Sequence, residues 1–167
     1  MKTEFDNTEN EALNKTDVMH SVLLPEHLAP YLPYKLRCLI KDEKIAVIDT
    51  LQAIYNNAVR CECTFFNIVE SQKGFDVVKP ILRPLSDIHC DMLFEGKKII
   101  PSEEISELRW VDFYKGHYLQ NKNGYKFDVI CLPYFVINKL IKYHFDINDL
   151  IGKNLAISVH DVELHCA

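Results

Sequence analysis

Residues 35–49 read KLRCLIKDEKIAVID. Leu36, Cys38 and Ile40 alternate with Lys35, Arg37 and Lys41, the period of two that a pleated, half-buried strand imposes. Lys41-Asp42-Glu43-Lys44 is polar and reads as a turn, and residues 44–49 (KIAVID) read as the returning strand. A hairpin here predicts antiparallel pairing of neighbours rather than strand–helix alternation.

Moving towards the C-terminus, Asn56-Asn57 marks the next turn. Val59, Cys61 and Cys63 then alternate with Arg60, Glu62 and Thr64, and Ser71 to Gly74 is a further turn before residues 75–82 extend again. Residues 97–100 are expected to form a short strand after the turn at Glu95-Gly96, with Ser102 capping a short helix through Leu108. Residues 110–118 are aromatic and strand-like, interrupted by Gly116. Asn121-Lys122-Asn123-Gly124 is a strong hairpin signal, because Asn-Gly accepts the positive φ of a tight turn. Residues 125–132 are expected to return from it. Pro133 suits a helix start, and Val136, Ile137, Leu140 and Ile141 follow at helical spacing. Asp146 is expected to cap a second short helix ending at Gly152, and Leu155, Ile157 and Val159 alternate as a last strand. The predicted fold class is α+β, a mostly antiparallel sheet or small open barrel with one principal C-terminal helix placed to return the last strand to the sheet.

Upstream, residues 21–36 read SVLLPEHLAPYLPYKL. Pro25, Pro30 and Pro33 are too close together for a long helix, so a turn at Glu26–Leu28 and an extended wrapping segment are expected. Residues 1–18 hold two lysines against five carboxylates and few apolar side chains. They are expected to be a flexible acidic tail, followed by a single globular domain over residues 19–167. The composition, 48% hydrophobic and 26% charged, excludes collagen, coiled coil and global disorder. The net charge of −5 argues against a wholesale basic nucleic-acid binder. Most of that charge lies in the tail, which leaves room for a local basic surface on the body.

No apolar run approaches about 18 residues, so no transmembrane helix and no membrane partner are expected. The first residues, MKTEFDNTENEALNKTD, lack the apolar centre of a signal peptide. The six cysteines are therefore expected to be reduced thiols in a cytosol.

The chain has no GxGxxG, P-loop or GxSxG motif, and its carboxylates are scattered. A thiol nucleophile at Cys90 or Cys131 has no spacing rule to support it. No catalytic residue is assigned, and a protein that is not an enzyme, with no cofactor, is expected. Zinc is an alternative on Cys61, Cys63, His89 and Cys90. No Cys-x-x-Cys pair exists, and Cys-x-Cys on a strand equally describes two small core residues. Nucleic acid is another candidate partner. Lys79, Arg83, Lys97, Lys98, Lys115, Lys122 and Lys126 lie among Trp110, Phe113, Tyr114 and Tyr118, the ingredients of a single-strand stacking platform. Arg83, Lys97, Lys98, Trp110, Tyr114 and Lys115 are the binding residues singled out.

Three segments are distinctive: LAPYLPY at 28–34, KPILRPLSDI at 79–88 and LIKYHFDINDLIGKNLAI at 140–157. In this order they resemble small uncharacterised proteins of Bacteroidetes phages and prophages. The acidic lead and the Cys/His ending depart from that pattern. The resemblance implies a phage accessory protein in a bacterial cytosol, and it carries no catalytic residues with it. It implies a non-enzymatic binding module acting on host or phage machinery, one form being an inhibitor of a host defence nuclease such as a CRISPR effector or other ribonucleoprotein. Pro80 and Pro84 are expected to stiffen a loop with Arg83 between them, a structural crossover between sheet elements or, alternatively, a contact loop displaying Arg83, and Tyr143 and His144 to close the helix against the sheet.

Overall fold

The computed structural model describes residues 23–41, 46–55, 58–62, 65–67 and 77–162. The expected tail at 1–18, the turns at Asp42–Lys44, Asn56-Asn57 and Ser71–Gly74, and Cys63, His165 and Cys166 lie outside them.

The hairpin at 35–49 forms as its alternation requires. Strand β1 (Arg37–Lys41) pairs antiparallel with β2 (Ala46–Tyr55), with Leu39 opposite Ile48 and Cys38 opposite Asp49. Leu36, Cys38 and Ile40 are buried, while Arg37 and Lys41 are exposed. β2 pairs with β3 (Ala58–Cys61) and β3 with β4 (Phe65–Asn67), both antiparallel. On its other side β1 pairs antiparallel with β5 (Val78–Leu82). A two-residue strand near the C-terminus, Ile157–Ser158, joins β5 in parallel and completes a six-stranded sheet. The fold is α+β, and the two edge strands leave this sheet open rather than closed into a barrel.

The expectation of a loop at Pro80 and Pro84 is corrected in part. Pro80 lies inside β5, opposite Cys38. Proline cannot donate to a ladder, and it is accommodated because pairing on the outer side of β5 begins only at Ile81. Pro84 then leads into a 3-10 helix, Leu85–His89.

Between Leu82 and Ile157 the chain builds a second body. β6 (Met92–Phe94) and β7 (Lys97–Ile99) form a hairpin. β8 (Val111–Lys115), β9 (Tyr118–Asn121) and β10 (Lys126–Asp128) form a three-stranded antiparallel sheet. The residues read as one interrupted strand over 110–118 are thus two, because Gly116 at φ +56° turns the chain. The returning strand stops at Asp128, whose side chain accepts the N–H of Ile130 at 3.0 Å and starts a 3-10 turn. β11 is the label for Ile157–Ser158.

The helices are short apart from one. α1 (Pro25–Leu28) runs into a 3-10 helix, Ala29–Tyr34, where an extended segment was expected. The fixed φ of proline is as compatible with the first turn of a helix as with extended chain, and Pro30 sits in that turn. α2 (Pro101–Glu104) starts at Pro101, so Ser102 lies inside the helix and is not its cap. The principal helix, α3 (Tyr134–Lys142), is where the apolar spacing predicts it. The segment after Asp146 forms turns rather than a helix, because Asp149 takes φ +56° and breaks the run. Asp146 still organises it, accepting the N–H groups of Leu150 at 2.8 Å and Ile151 at 2.7 Å. The Asp149 carboxylate rests against Gly116 and Gly152, where a Cβ would collide with it. Glycine at both positions lets this loop pack on the β8–β9 turn. α4 (Val159–Val162) follows β11.

Two apolar cores result. One gathers Leu28, Tyr31, Leu36, Cys38, Ile40, Leu51 and Leu82 under the six-stranded sheet. The other gathers Leu85, Ile88, Leu108, Leu119, Val136 and Phe145. Neighbouring residues of α3 divide between them: Leu140 belongs to the second core and Ile141 to the first. The Tyr31 hydroxyl donates to Phe145 O at 2.7 Å across the junction. As expected, Tyr143 and His144 close α3: His144, at φ +60°, donates from Nε2 to Tyr34 O at 2.7 Å. Arg83 N donates to His144 O, and Asp146 N to Arg83 O, so the backbone ladder extends beyond β5. Among the described residues no helix is long and apolar enough to cross a membrane.

Candidate binding surface

The three-stranded sheet has one face committed to packing. Phe113, Leu119 and Phe127 are directly opposite one another across the strands, so they share that face. Val111 joins them, two residues from Phe113. Val111 and Leu119 are buried there. A bulge between Phe113 and Lys115 re-aims the end of β8.

The other side and the rim carry aromatic rings that the fold leaves in water. Trp110 is 57% exposed, Tyr114 45%, Tyr118 43% and Tyr125 74%. Lysines sit on two of these rings: Lys122 Nζ is 3.5 Å from the Trp110 ring centroid and Lys126 Nζ is 3.8 Å from that of Tyr114. Lys126 hydrogen-bonds the Tyr114 phenol and lowers its pKa by that bond and by its charge. The turn that presents Lys122 is held by Asn121, whose side chain accepts from Asn123 N at 3.0 Å and Tyr125 N at 2.9 Å. Gly124, at φ +78°, completes it. Arg109, Lys115, Lys122 and Lys126 outnumber Asp112 and Asp128, so this sheet is locally cationic on an acidic protein.

The six binding residues singled out from sequence separate into three places. Trp110, Tyr114 and Lys115 come together on β8 and its approach. Lys97 and Lys98 lie on β7 in a different hairpin, and Lys98 pairs with Asp91. Arg83 is largely buried, with Nη1 3.2 Å from Asp87 Oδ2. Tyr118, Lys122 and Lys126, named from sequence only as part of the wider basic and aromatic set, join them here, and Tyr125 was not named at all. The Asn-Gly turn was the signal that folds 122–126 back beside 110–114.

His89 lies between Ser102 Oγ, 2.8 Å from Nδ1, and Val111 O, 2.7 Å from Nε2, with Asp112 Oδ1 3.2 Å from Nε2. A carbonyl only accepts, so Nε2 carries the proton and Nδ1 accepts from the Ser102 hydroxyl. The residue types are those of a hydrolytic triad. Ser102 is only 4% exposed, however, so its oxygen cannot meet a substrate. This trio is a clasp between the Leu85–His89 helix, α2 and β8.

The cysteine candidates are divided as well. Cys61 is buried in the first core, and burial first, then the charge of Asp49, push its thiol up to about 11. Burial likewise raises Cys38. Neutral thiols of this kind are poor zinc ligands and poor nucleophiles. His89 has both nitrogens engaged, and Cys90 beside it is exposed. Among the described residues no three His, Cys, Asp or Glu side chains converge to hold a metal ion.

Cavities also open among the described residues. One of about 190 Å³ lies between His117, Asp128, Ile137, Asn148 and Lys153. Its His117 Nε2 is 3.1 Å from Asp128 Oδ2, while Nδ1 is buried with no hydrogen-bond partner. Another, of about 250 Å³, opens beside Arg37 and Arg83. No protein-family model, no curated protein and no solved structure matches this chain.

Proposed function

We propose that this protein is a non-enzymatic binding module that uses the aromatic, cationic side of the three-stranded sheet as its contact surface. One observation supports this above the others. Trp110, Tyr114, Tyr118 and Tyr125 crowd one small sheet without being buried by it. Large exposed apolar groups concentrated in one place mark interaction sites, and Trp and Tyr are the side chains that anchor interfaces. The likeness of its three distinctive segments to phage proteins suggests the partner class: host or phage machinery in a bacterial cytosol. Inhibition of a host defence nuclease, such as a CRISPR effector, is the concrete form to test first.

The test is affinity capture with the full chain from a Bacteroidetes lysate, alongside Trp110→Ala/Tyr114→Ala. The expected result is a protein or ribonucleoprotein held by the native chain and lost with the double variant. Retention of nothing, or equal retention by both, sinks the reading.

A second reading, single-stranded nucleic acid, is favoured by Lys122 and Lys126 lying directly on ring faces. A base stacking on Trp110 or Tyr114 would release these cations to phosphates, pairing stacking with charge neutralisation. Fluorescence anisotropy of a labelled single-stranded oligonucleotide, measured across salt concentration, checks it. No binding at low salt dismisses it.

A further inference from the structure

The sequence segment KPILRPLSDI finds no role in the aromatic surface, yet it builds one wall of the 250 Å³ cavity. We propose that this cavity is a binding site for a small phosphomonoester with an apolar, ring-sized body. Two arginines line it, Arg37 from β1 and Arg83 from just beyond the end of β5. Arg37 points away from the face that Leu36 and Cys38 bury, and it makes no ion pair among the described residues. Arg83 is held in place rather than consumed. Asp87 Oδ2 takes only its Nη1, and that same oxygen is 2.6 Å from His160 Nε2. The other guanidinium N–H donors of Arg83 have no partner among the described residues. A fork fixed on one side and free on the other is pre-organised for an anion.

The remaining walls suit the rest of such a ligand. Phe94 packs edge-on against Tyr143 at 4.9 Å between centroids, which fixes both rings. Leu93, 74% exposed, forms an apolar rim. Burial, aided by Glu104 and Glu95, keeps the Tyr143 phenol protonated, so it is a donor. Among the described residues Glu95 is the only carboxylate in the lining, able to accept from a hydroxyl or amine on the ligand. Burial also lowers the pKa of His144, and the Arg83 charge works in the same direction against the opposing bond to Tyr34. The cationic character of the cavity therefore comes from the two arginines. Two forks approaching from different segments of the chain match the doubly charged, three-oxygen end of a phosphomonoester better than the single charge of a carboxylate.

Titration calorimetry of the full chain with phenyl phosphate, inorganic phosphate and benzoate tests this. Phenyl phosphate is expected to bind at one site and more tightly than either of the others. Arg37→Ala should weaken it about tenfold or more, as loss of one charge-assisted contact implies. Arg37 is an exposed strand residue, so this change spares the core. Leu93→Ser should weaken phenyl phosphate while leaving inorganic phosphate unchanged. Trp110→Ala, on the aromatic sheet, should alter neither. Absence of phenyl phosphate binding, equal affinity for benzoate, or binding unaffected by Arg37→Ala each overturns the proposal.

Discussion

The six-stranded and the three-stranded sheet use the same antiparallel pairing for opposite ends. In β1, every second side chain goes into a core, and the alternation Leu36, Cys38, Ile40 is complete. In β8, only Val111 is buried, and Asp112, Phe113, Tyr114 and Lys115 are exposed to differing degrees. One sheet converts its apolar residues into stability. The other holds rings in water, at a cost in solubility that a folded protein accepts for contact. A sheet can be a scaffold on both sides of one molecule without being a core on both.

The sharpest way to separate packing from display is to remove one buried ring and one exposed ring. Phe145 is fully buried beside the junction of the cores, so Phe145→Ala should lower unfolding free energy by about 3–5 kcal/mol in a urea titration. Tyr125→Ala should stay within about 0.5 kcal/mol in the same measurement. Equal losses would mean that the small sheet is structural after all. A finer cut is Tyr31→Phe, which strips the hydroxyl that satisfies Phe145 O and should cost about 1–3 kcal/mol.

The junction also carries a pH signature. Burial holds His144 below its ordinary 6.5, so the unfolded chain takes up the proton first. The stability it contributes is present above that value and is lost as pH falls towards the lowered folded value. His144→Asn, which tolerates the positive φ, should flatten this loss in denaturation midpoints measured from neutral pH downwards. An unchanged acid limb would place the sensitivity elsewhere. Trp110→Ala should cost little stability, about 0.5–1 kcal/mol for the lost Lys122 contact. Its expected effect on partner capture is total, and that contrast is the comparison in its strictest form.

How much of this was legible depended on whether a pattern was local. The 35–49 hairpin, the Asn121–Gly124 turn and α3 follow from spacing alone, because each is decided by residues within a few positions. Gly116 reads as an interruption, but aromatics on both sides of β8 mask the period of two, so the reversal into two paired strands did not show. Pro80 misled for a related reason: proline argues against a strand in general, and only the late start of the β11 pairing makes room for it. At the sites, Trp110, Tyr114 and Lys115 share a strand region and were found together. The Arg83–Asp87–His160 chain was not, since His160 meets Asp87 from 73 positions away. Arg83 itself reads as a displayed cation, and its partnering with Asp87 at four residues' distance takes a 3-10 turn to bring about.

The parallel seat of β11 has a consequence for the order of folding. β1, β2 and β3 are sequential neighbours and can zip by short loop closures. The strand that finishes the same sheet arrives only after the whole second body has passed between Leu82 and Ile157. Its contacts with β5 are therefore among the most distant in sequence, and their loop-closure entropy is offset only once α3 and Phe145 have drawn the ends together. The assembly of the second core thus acts as a gate on the last edge of the first, and a nascent chain would show that edge of β5 bare until then.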